Sequence, residues 1–148
     1  MLINKNITYI DKKINTPKWY IIDAKDQNLG RLSSQIAYLL RGKNNTNYLP
    51  YLENTINIIV INSKLIKITG KKKEQKTYKR HSGKPGGLKI ETFDKLNKRI
   101  PNRIIETAIK GMLPKNTLGR KLFKRLKVYP DIIHPHSAQK PITLKLNQ

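Results

Sequence analysis

The run Ile56-Asn57-Ile58-Ile59-Val60-Ile61 limits the fold of this chain more than any other feature. β-branched side chains favour strands, and a strand with almost no polar alternation needs cover on both faces. A parallel sheet flanked by helices meets that need. The run is also far short of the roughly 18 apolar residues of a membrane span, so no integral membrane segment is expected.

The flanking sequence supplies such a sheet with neighbours. Trp19 to Ala24 is an aromatic and β-branched run between Pro17 and the polar stretch 25–28, which predicts a buried strand. From Leu29, the positions Leu32, Ile36, Leu39 and Leu40 recur at helical spacing, and Gly42 is a C-terminal stop. Leu65, Ile66 and Ile68 predict a short third strand before Thr69-Gly70. Residues 71–87 lose apolar periodicity and read as a long exposed loop or ribbon. Helices are predicted over Thr92 to Arg99 and from Pro101, where Ile104, Ile105, Ala108, Ile109 and Met112 form a stripe ended by Gly111 and Pro114. A last helix is predicted over Thr117 to Leu126, with Leu118, Leu122 and Leu126 on one face. The tail from Pro130 reads as extended. Strand, helix, strand and then helices make an α/β fold with a small, mostly parallel sheet. The expected organisation is a flexible basic arm over residues 1–17 and a single domain over 18–148.

Charge narrows the function. The 148 residues carry 31 Lys and Arg against 9 Asp and Glu, a net +22 that calls for an anionic partner. Lys, Ile and Asn are all abundant, as A- and T-rich codons dictate, so part of the excess can be drift in a biased genome such as that of an organelle or a reduced bacterium. With no Cys there is no thiol nucleophile, disulfide or Cys-based metal site. Residues 1–16 lack an apolar core, contain Asp11 and carry no Arg, and so fit neither a secretory signal nor an Arg-rich transit peptide.

The densest run, Lys64 to Lys89, holds ten basic residues against Glu74 alone, a local +9. Such a run repels itself, and phosphate contact relieves the repulsion while releasing counterions. Tyr78 and His81 interleave the charges and could stack on unpaired bases, while Gly83, Gly86 and Gly87 would admit close backbone approach to phosphate. The competing reading is a solvated loop made basic by codon bias. Lys115, Arg120, Lys121, Lys124, Arg125 and Lys127 form a second acid-free cluster, against the bland alternative of an ordinary solvated helix face. A membrane-surface helix would need a wider apolar stripe than the Leu residues provide. Neither Gly83 to Gly87 nor Thr69-Gly70-Lys71 has phosphate-loop spacing, and His134-Pro135-His136 is a weak metal signal without nearby carboxylates. Asp23 and Asp26 are the closest carboxylates, more readily serving a turn than acid-base or two-metal chemistry. An RNA-processing enzyme would need carboxylates or histidines converging on a cleft, and none has recognisable spacing. A free regulatory RNA binder is a third possibility on composition.

Several motifs then recur in a characteristic order: Trp19-Tyr20 with Asp23-Ala24, Leu29-Gly30-Arg31-Leu32, Leu40-Arg41-Gly42-Lys43, Tyr48 with Pro50, and Ile59-Val60 with Asn62. They continue with Thr69-Gly70-Lys71, Tyr78 with His81, Gly83, Gly86 and Gly87, and Lys110-Gly111-Met112-Leu113-Pro114 with Leu118-Gly119-Arg120. The series ends in Leu126-Lys127-Val128-Tyr129 and His134-Pro135-His136 with Ala138-Gln139. Over about residues 18–146 the chain resembles the ribosomal protein uL13 (L13) family of the bacterial-type large subunit. Arg80 to Gly87 and Glu91-Thr92-Phe93 look closest to cyanobacterial and plastid versions.

The resemblance implies a three-layer α/β/α fold, with the basic loop and a C-terminal extension, and no catalytic activity or cofactor. It implies a structural constituent of the large subunit that binds and organises 23S-type rRNA, in assembly and in the mature ribosome, beside other large-subunit proteins. No membrane or small-molecule partner is expected. The expected rRNA contacts are Arg41 and Lys43, then Lys71, Lys72, Lys73, Tyr78, Lys79, Arg80, His81, Lys84, Gly86 and Gly87. Arg120, Lys121, Lys124, Arg125, Lys127, His134 and His136 complete the set. The expected location is the ribosome of a plastid (chloroplast) stroma, with bacterial cytoplasm or mitochondrial matrix as alternatives. Two departures from the family pattern stand out: Thr55-Ile56 replaces the usual Gly-Asp before the second strand, and Pro130-Asp131 displaces the usual Gly after Val128-Tyr129.

Overall fold

The computed structural model describes residues 17–46 and 48–146. Except for Pro17, the arm expected over residues 1–17 lies outside the described residues. The elements are β1 (Trp19–Asp23), α1 (Leu29–Arg41), β2 (Asn57–Ile61), α2 (Lys72–Gln75), β3 (Thr77–His81), β4 (Leu88–Thr92), α3 (Phe93–Arg99), α4 (Asn102–Met112), α5 (Thr117–Lys124), β5 (Leu126–Val128) and β6 (Ile142–Thr143). Single 3-10 turns occupy Ser63–Leu65 and Ser137–Gln139.

β2 lies inside a parallel four-stranded sheet ordered β5-β2-β1-β6. Its Ile58, Ile59 and Val60 are all fully buried, as a run without polar alternation requires. Cross-strand partners share a face, so Ile22 and Val60, and Ile58 and Leu126, lie together. On that face they meet Leu32, Ile36 and Leu40 of α1, Leu96 of α3, Ile104, Ile105 and Ile109 of α4, and Leu122 of α5.

The opposite face has a different cover. Trp19 and Ile21 alternate with Tyr20 and Ile22 and so point away from those helices. There the Trp19 ring meets His136 of the C-terminal segment, with ring centroids 5.4 Å apart. The strand order explains this placement. The chain steps from β1 to β2 to β5 in one direction and then reverses to β6 beyond β1. A parallel connection of fixed right-handedness that reverses direction crosses on the other side of the sheet. The α/β/α expectation therefore holds, with a thin third layer made of an irregular segment and one 3-10 turn.

α1 shows how local sequence sets an element's end. Gly42 takes the left-handed conformation at φ 78°, its N–H donates to the Leu39 carbonyl, and the Lys43 N–H donates to the Tyr38 carbonyl. Buried Asn54 then presses its amide onto this turn, donating to the Leu39 carbonyl at 3.1 Å.

Three expectations are corrected. Leu65, Ile66 and Ile68 form no strand, because Asn62 at φ 58° turns the chain off the sheet directly after β2. Only an isolated bridge between Asn28 and Lys67 remains there. Leu126 belongs not to the last helix but to β5, where pairing with β2 outweighs the continued helical spacing. Met112 is exposed, and Leu113, just past the end of α4, is buried in its place. The tail, expected to be extended, holds one 3-10 turn and adds the edge strand β6. The two departures also acquire roles. Ile56 is buried and extends the core where a carboxylate would stand, while the Asp131 side chain binds Lys64 at 3.0 Å and its carbonyl accepts the Asn62 N–H.

Gly42→Ala should lower stability by about 1–2 kcal/mol, through left-handed strain together with a Cβ placed 2.8 Å from Asn54 Nδ2. Gly30→Ala, inside α1 with open space around its Cβ position, should instead stabilise by about 0.5 kcal/mol. Urea midpoints of the two variants, which should move in opposite directions, check both.

Candidate nucleic-acid interface

β3 and β4 form an antiparallel ribbon separate from the main sheet, in register from Thr77 opposite Thr92 to His81 opposite Leu88. Its base is anchored. The Phe93 N–H donates to the Lys76 carbonyl, the Arg99 guanidinium binds Glu91, and Tyr78 packs against the core. Its tip is a turn in which the Ser82 N–H donates to the Gly87 carbonyl and the Gly87 N–H to the Lys84 carbonyl. Gly83 and Gly86 there have φ of 86° and 71°, values at which a side chain is strained. The residues read as a loop or ribbon are thus an ordered ribbon with a short helix, α2, at its foot.

The ribbon and α2 expose Lys71, Lys72, Lys73, Lys79, Arg80, Lys84 and Lys89. None of these has an ion pair among the described residues, whereas Lys64 and Lys67 are neutralised by Asp131 and Asp26. The self-repelling charge is therefore concentrated beyond residue 70. His81 Nδ1 accepts the Gly83 N–H at 2.9 Å, which leaves Nε2 as the ring's outward donor. Tyr78 is not available as a stacking platform. Its ring is half-buried with Lys76 Nζ 5.6 Å from the centroid, and its buried hydroxyl has no hydrogen-bond partner among the described residues. Burial pushes the phenol pKa up.

The second basic surface is α5. Asn116 Oδ1 accepts the Gly119 N–H at 2.9 Å and caps its start. Leu118, Gly119 and Leu122 turn inward, which leaves Arg120, Lys121 and Lys124 exposed beside Lys115. The cluster has an acidic partner that sequence proximity could not reveal. Glu53 binds Arg125, 72 residues away, through Nε at 3.2 Å and through Nη2, and approaches Lys121 Nζ at 3.7 Å. Arg125 is thereby occupied. Lys127 leaves the helix altogether: it lies in β5 opposite Ile59, on the sheet face away from the helices.

The remaining predicted residues divide. Arg41 is engaged within the fold, donating to the Tyr48 hydroxyl at 2.9 Å and to the Pro50 carbonyl, while Lys43 is exposed. His134 and His136 belong to an aromatic cluster with Trp19 and Tyr129. His136 Nε2 lies 2.8 Å from the Tyr129 hydroxyl, and the His136 N–H donates to His134 Nδ1. Asp23 is also committed, accepting from the Lys25 N–H and from Asn62 Nδ2 at 2.8 Å. The structure thus separates outward cations from those that hold loops. The apolar outer face of β4, Leu88 and Ile90, was missed, although its alternation with Lys89 and Glu91 is a strand signal.

The fold and these surfaces define a class: a strongly basic α/β protein whose exposed cations largely lack acidic partners. Residues 17–135 match the family model described as ribosomal protein L13. The large ribosomal subunit protein uL13c of Gracilaria tenuistipitata var. liui is 61% identical over 136 residues, which covers 92% of this chain and 95% of the relative. That of Porphyra purpurea is 57% identical, covering 92% and 96%, and the uL13 of Thermosynechococcus vestitus is 61% identical, covering 88% and 86%. The chain belongs to the ribosomal protein L13 family, a family of ribosomal structural proteins and not of enzymes. These relatives are of plastid and cyanobacterial type, as the motifs at 80–93 indicate.

The hydrogen bond from Arg125 holds Glu53 below its ordinary pKa against an opposing effect of burial, and the charges of Arg125 and Lys121 add to the lowering. The unfolded chain, with the higher pKa, takes up this proton first as pH falls, so the stabilisation is present above the unfolded value and is lost through the folded one. Glu53→Gln should therefore reduce the acid-side stability loss by about 0.5 kcal/mol, the scale of a partly exposed pair. Urea midpoints of both proteins at about pH 6 and about pH 3.5 check this.

Proposed function

We propose that this chain is a structural constituent of the large ribosomal subunit of a plastid-type ribosome. In that role it binds 23S-type rRNA and organises it, during assembly and in the mature particle. The observation that carries the proposal is the set of exposed cations without an ion pair among the described residues, Lys79, Arg80, Lys84 and Lys89 on the ribbon and Arg120 and Lys124 on α5. Such cations make phosphate contacts that set position and supply most of the affinity.

The roles of the expected contact residues differ accordingly. Lys71, Lys72, Lys73, Lys79, Arg80 and Lys84 meet phosphates along the ribbon, and Gly86 and Gly87 keep its tip narrow. Arg120, Lys121 and Lys124 meet a second rRNA segment, with Lys43 as a lesser contact. Arg41, Arg125, Lys127, Tyr78, His134 and His136 act mainly by holding the scaffold, as their internal partners and placement support. Membership of the family and the cyanobacterial and plastid relatives support the compartment.

Affinity for a large-subunit rRNA fragment should fall about 10³-fold between roughly 50 and 200 mM salt if about six phosphates are neutralised. A flat response in a filter-binding titration would overturn the electrostatic reading. The pair Arg80→Glu and Lys84→Glu should reduce incorporation into large subunits, measured by sedimentation, by about tenfold or more. The same changes at Lys12 and Lys13 should have a smaller effect.

A further inference from the structure

The two faces of the ribbon differ in chemistry. Directly opposed residues share a face, so Lys79 with Ile90 and His81 with Leu88 form one side, and Tyr78 with Glu91 and Arg80 with Lys89 the other. The Tyr78 side is committed at its base to the protein, through the core and the bond from Arg99 to Glu91. The other side leaves Leu88 52% and Ile90 54% exposed beside Lys79 and His81, with no acid on it. Leu88 and Ile90 lie two residues apart on one ordered strand and so form a single small apolar patch on that face.

We propose that this face lies in the shallow minor groove of a double-helical RNA segment. Leu88 and Ile90 rest on ribose and base edges there, while Lys79 and the outward His81 Nε2–H reach phosphate and 2′-hydroxyl oxygens. The inference rests on the proposed rRNA-binding role and adds to it a face and a form of RNA. Charge selects the occupant, since the ribbon's unpaired cations favour a polyanion. The form follows from the side chains. Recognition of unstacked bases uses aromatic platforms, and the ribbon's only Tyr is packed away on the other side, while the His81 ring is tied through Nδ1 to the turn. Aliphatic contact combined with hydrogen-bond donors suits the wide, ribose-lined groove of an A-form duplex.

The test compares the full chain with a Leu88→Gln/Ile90→Gln variant and with Arg80→Gln. Fluorescence anisotropy at one salt concentration is used with an RNA duplex, a DNA duplex of the same sequence and single-stranded oligouridine. The wild type should prefer the RNA duplex to both other probes. The double variant should lose about tenfold in affinity for that duplex, from lost apolar contact, with its salt slope unchanged. Arg80→Gln should instead lower the salt slope. Both replaced side chains are more than half exposed, and circular dichroism confirms the fold of each variant.

Wild-type RNA binding with no loss in the double variant overturns this inference and leaves the ribosomal role intact. Equal affinity for RNA and DNA duplexes, or preference for the single strand, overturns the groove assignment in the same way. Unchanged duplex affinity with failed incorporation into subunits assigns the face to a protein partner and also overturns it. Absence of any salt-dependent RNA binding by the wild type would instead sink the proposed function.

Discussion

The parallel pairing of β1 with β2 is the interaction on which the rest of the structure depends. From Trp19 opposite Asn57 to Asp23 opposite Ile61, it fixes β2, whose central residues Ile58, Ile59 and Val60 are fully buried. A buried central strand needs partners for its backbone groups on both edges and cover for both faces. β5 supplies the second edge, α1, α4 and α5 cover one face, and the C-terminal segment closes the other. A three-residue strand such as β5 has no stability of its own. It exists because Ile58 and Val60 offer a ready ladder, and it places α5, immediately before it, at the surface.

The few acids of the chain are used economically. Asp23, Asp26, Glu53, Glu91 and Asp131 each bind a group distant in the fold or close a turn, through Asn62, Lys67, Arg125, Arg99 and Lys64. Exposed pairs of this kind contribute little each, about 0.2–1 kcal/mol. Their larger effect is on charge distribution. Lys64, Lys67 and Arg99 are neutralised, whereas the lysines of α2 and the cations of the ribbon have no ion pair among the described residues, and on α5 only Lys121 has one. Unpaired cations are thus dense along α2 and the ribbon, whose one ion pair is the Arg99 to Glu91 contact at the base.

Sequence periodicity revealed the elements whose burial is local in origin. β1, α1, β2 and α4 each carry a full apolar pattern, and Gly42 marks the end of α1 by its conformation alone. What it could not reveal depends on distant partners. Leu118, Leu122 and Leu126 continue a helical spacing, and only the edge of β2 makes the last of them a strand residue. The candidate interface was legible as charge but not as geometry. The clusters at 71–89 and 115–127 are where exposed cations lie, yet Arg125 is claimed by Glu53, Arg41 by Tyr48, and Tyr78 by the core. Nothing in the spacing of those residues distinguishes a contact with RNA from one with the chain itself.

The ribbon joins the stability of the fold to its electrostatics. A two-stranded hairpin is marginal in water, and this one has apolar packing only at its base, through Tyr78 and the adjoining Phe93. Toward the tip, Arg80 faces Lys89 across the strands, and like charges directly opposed are destabilising. Its glycine turn fixes the chain's direction but adds no buried surface. The scaffold therefore holds the ribbon at one end, while the other carries a repulsion that the protein does not itself relieve. Phosphates placed along Arg80, Lys84 and Lys89 would convert that repulsion into attraction. The ordering of the tip and the binding of a polyanion are then parts of one free-energy change.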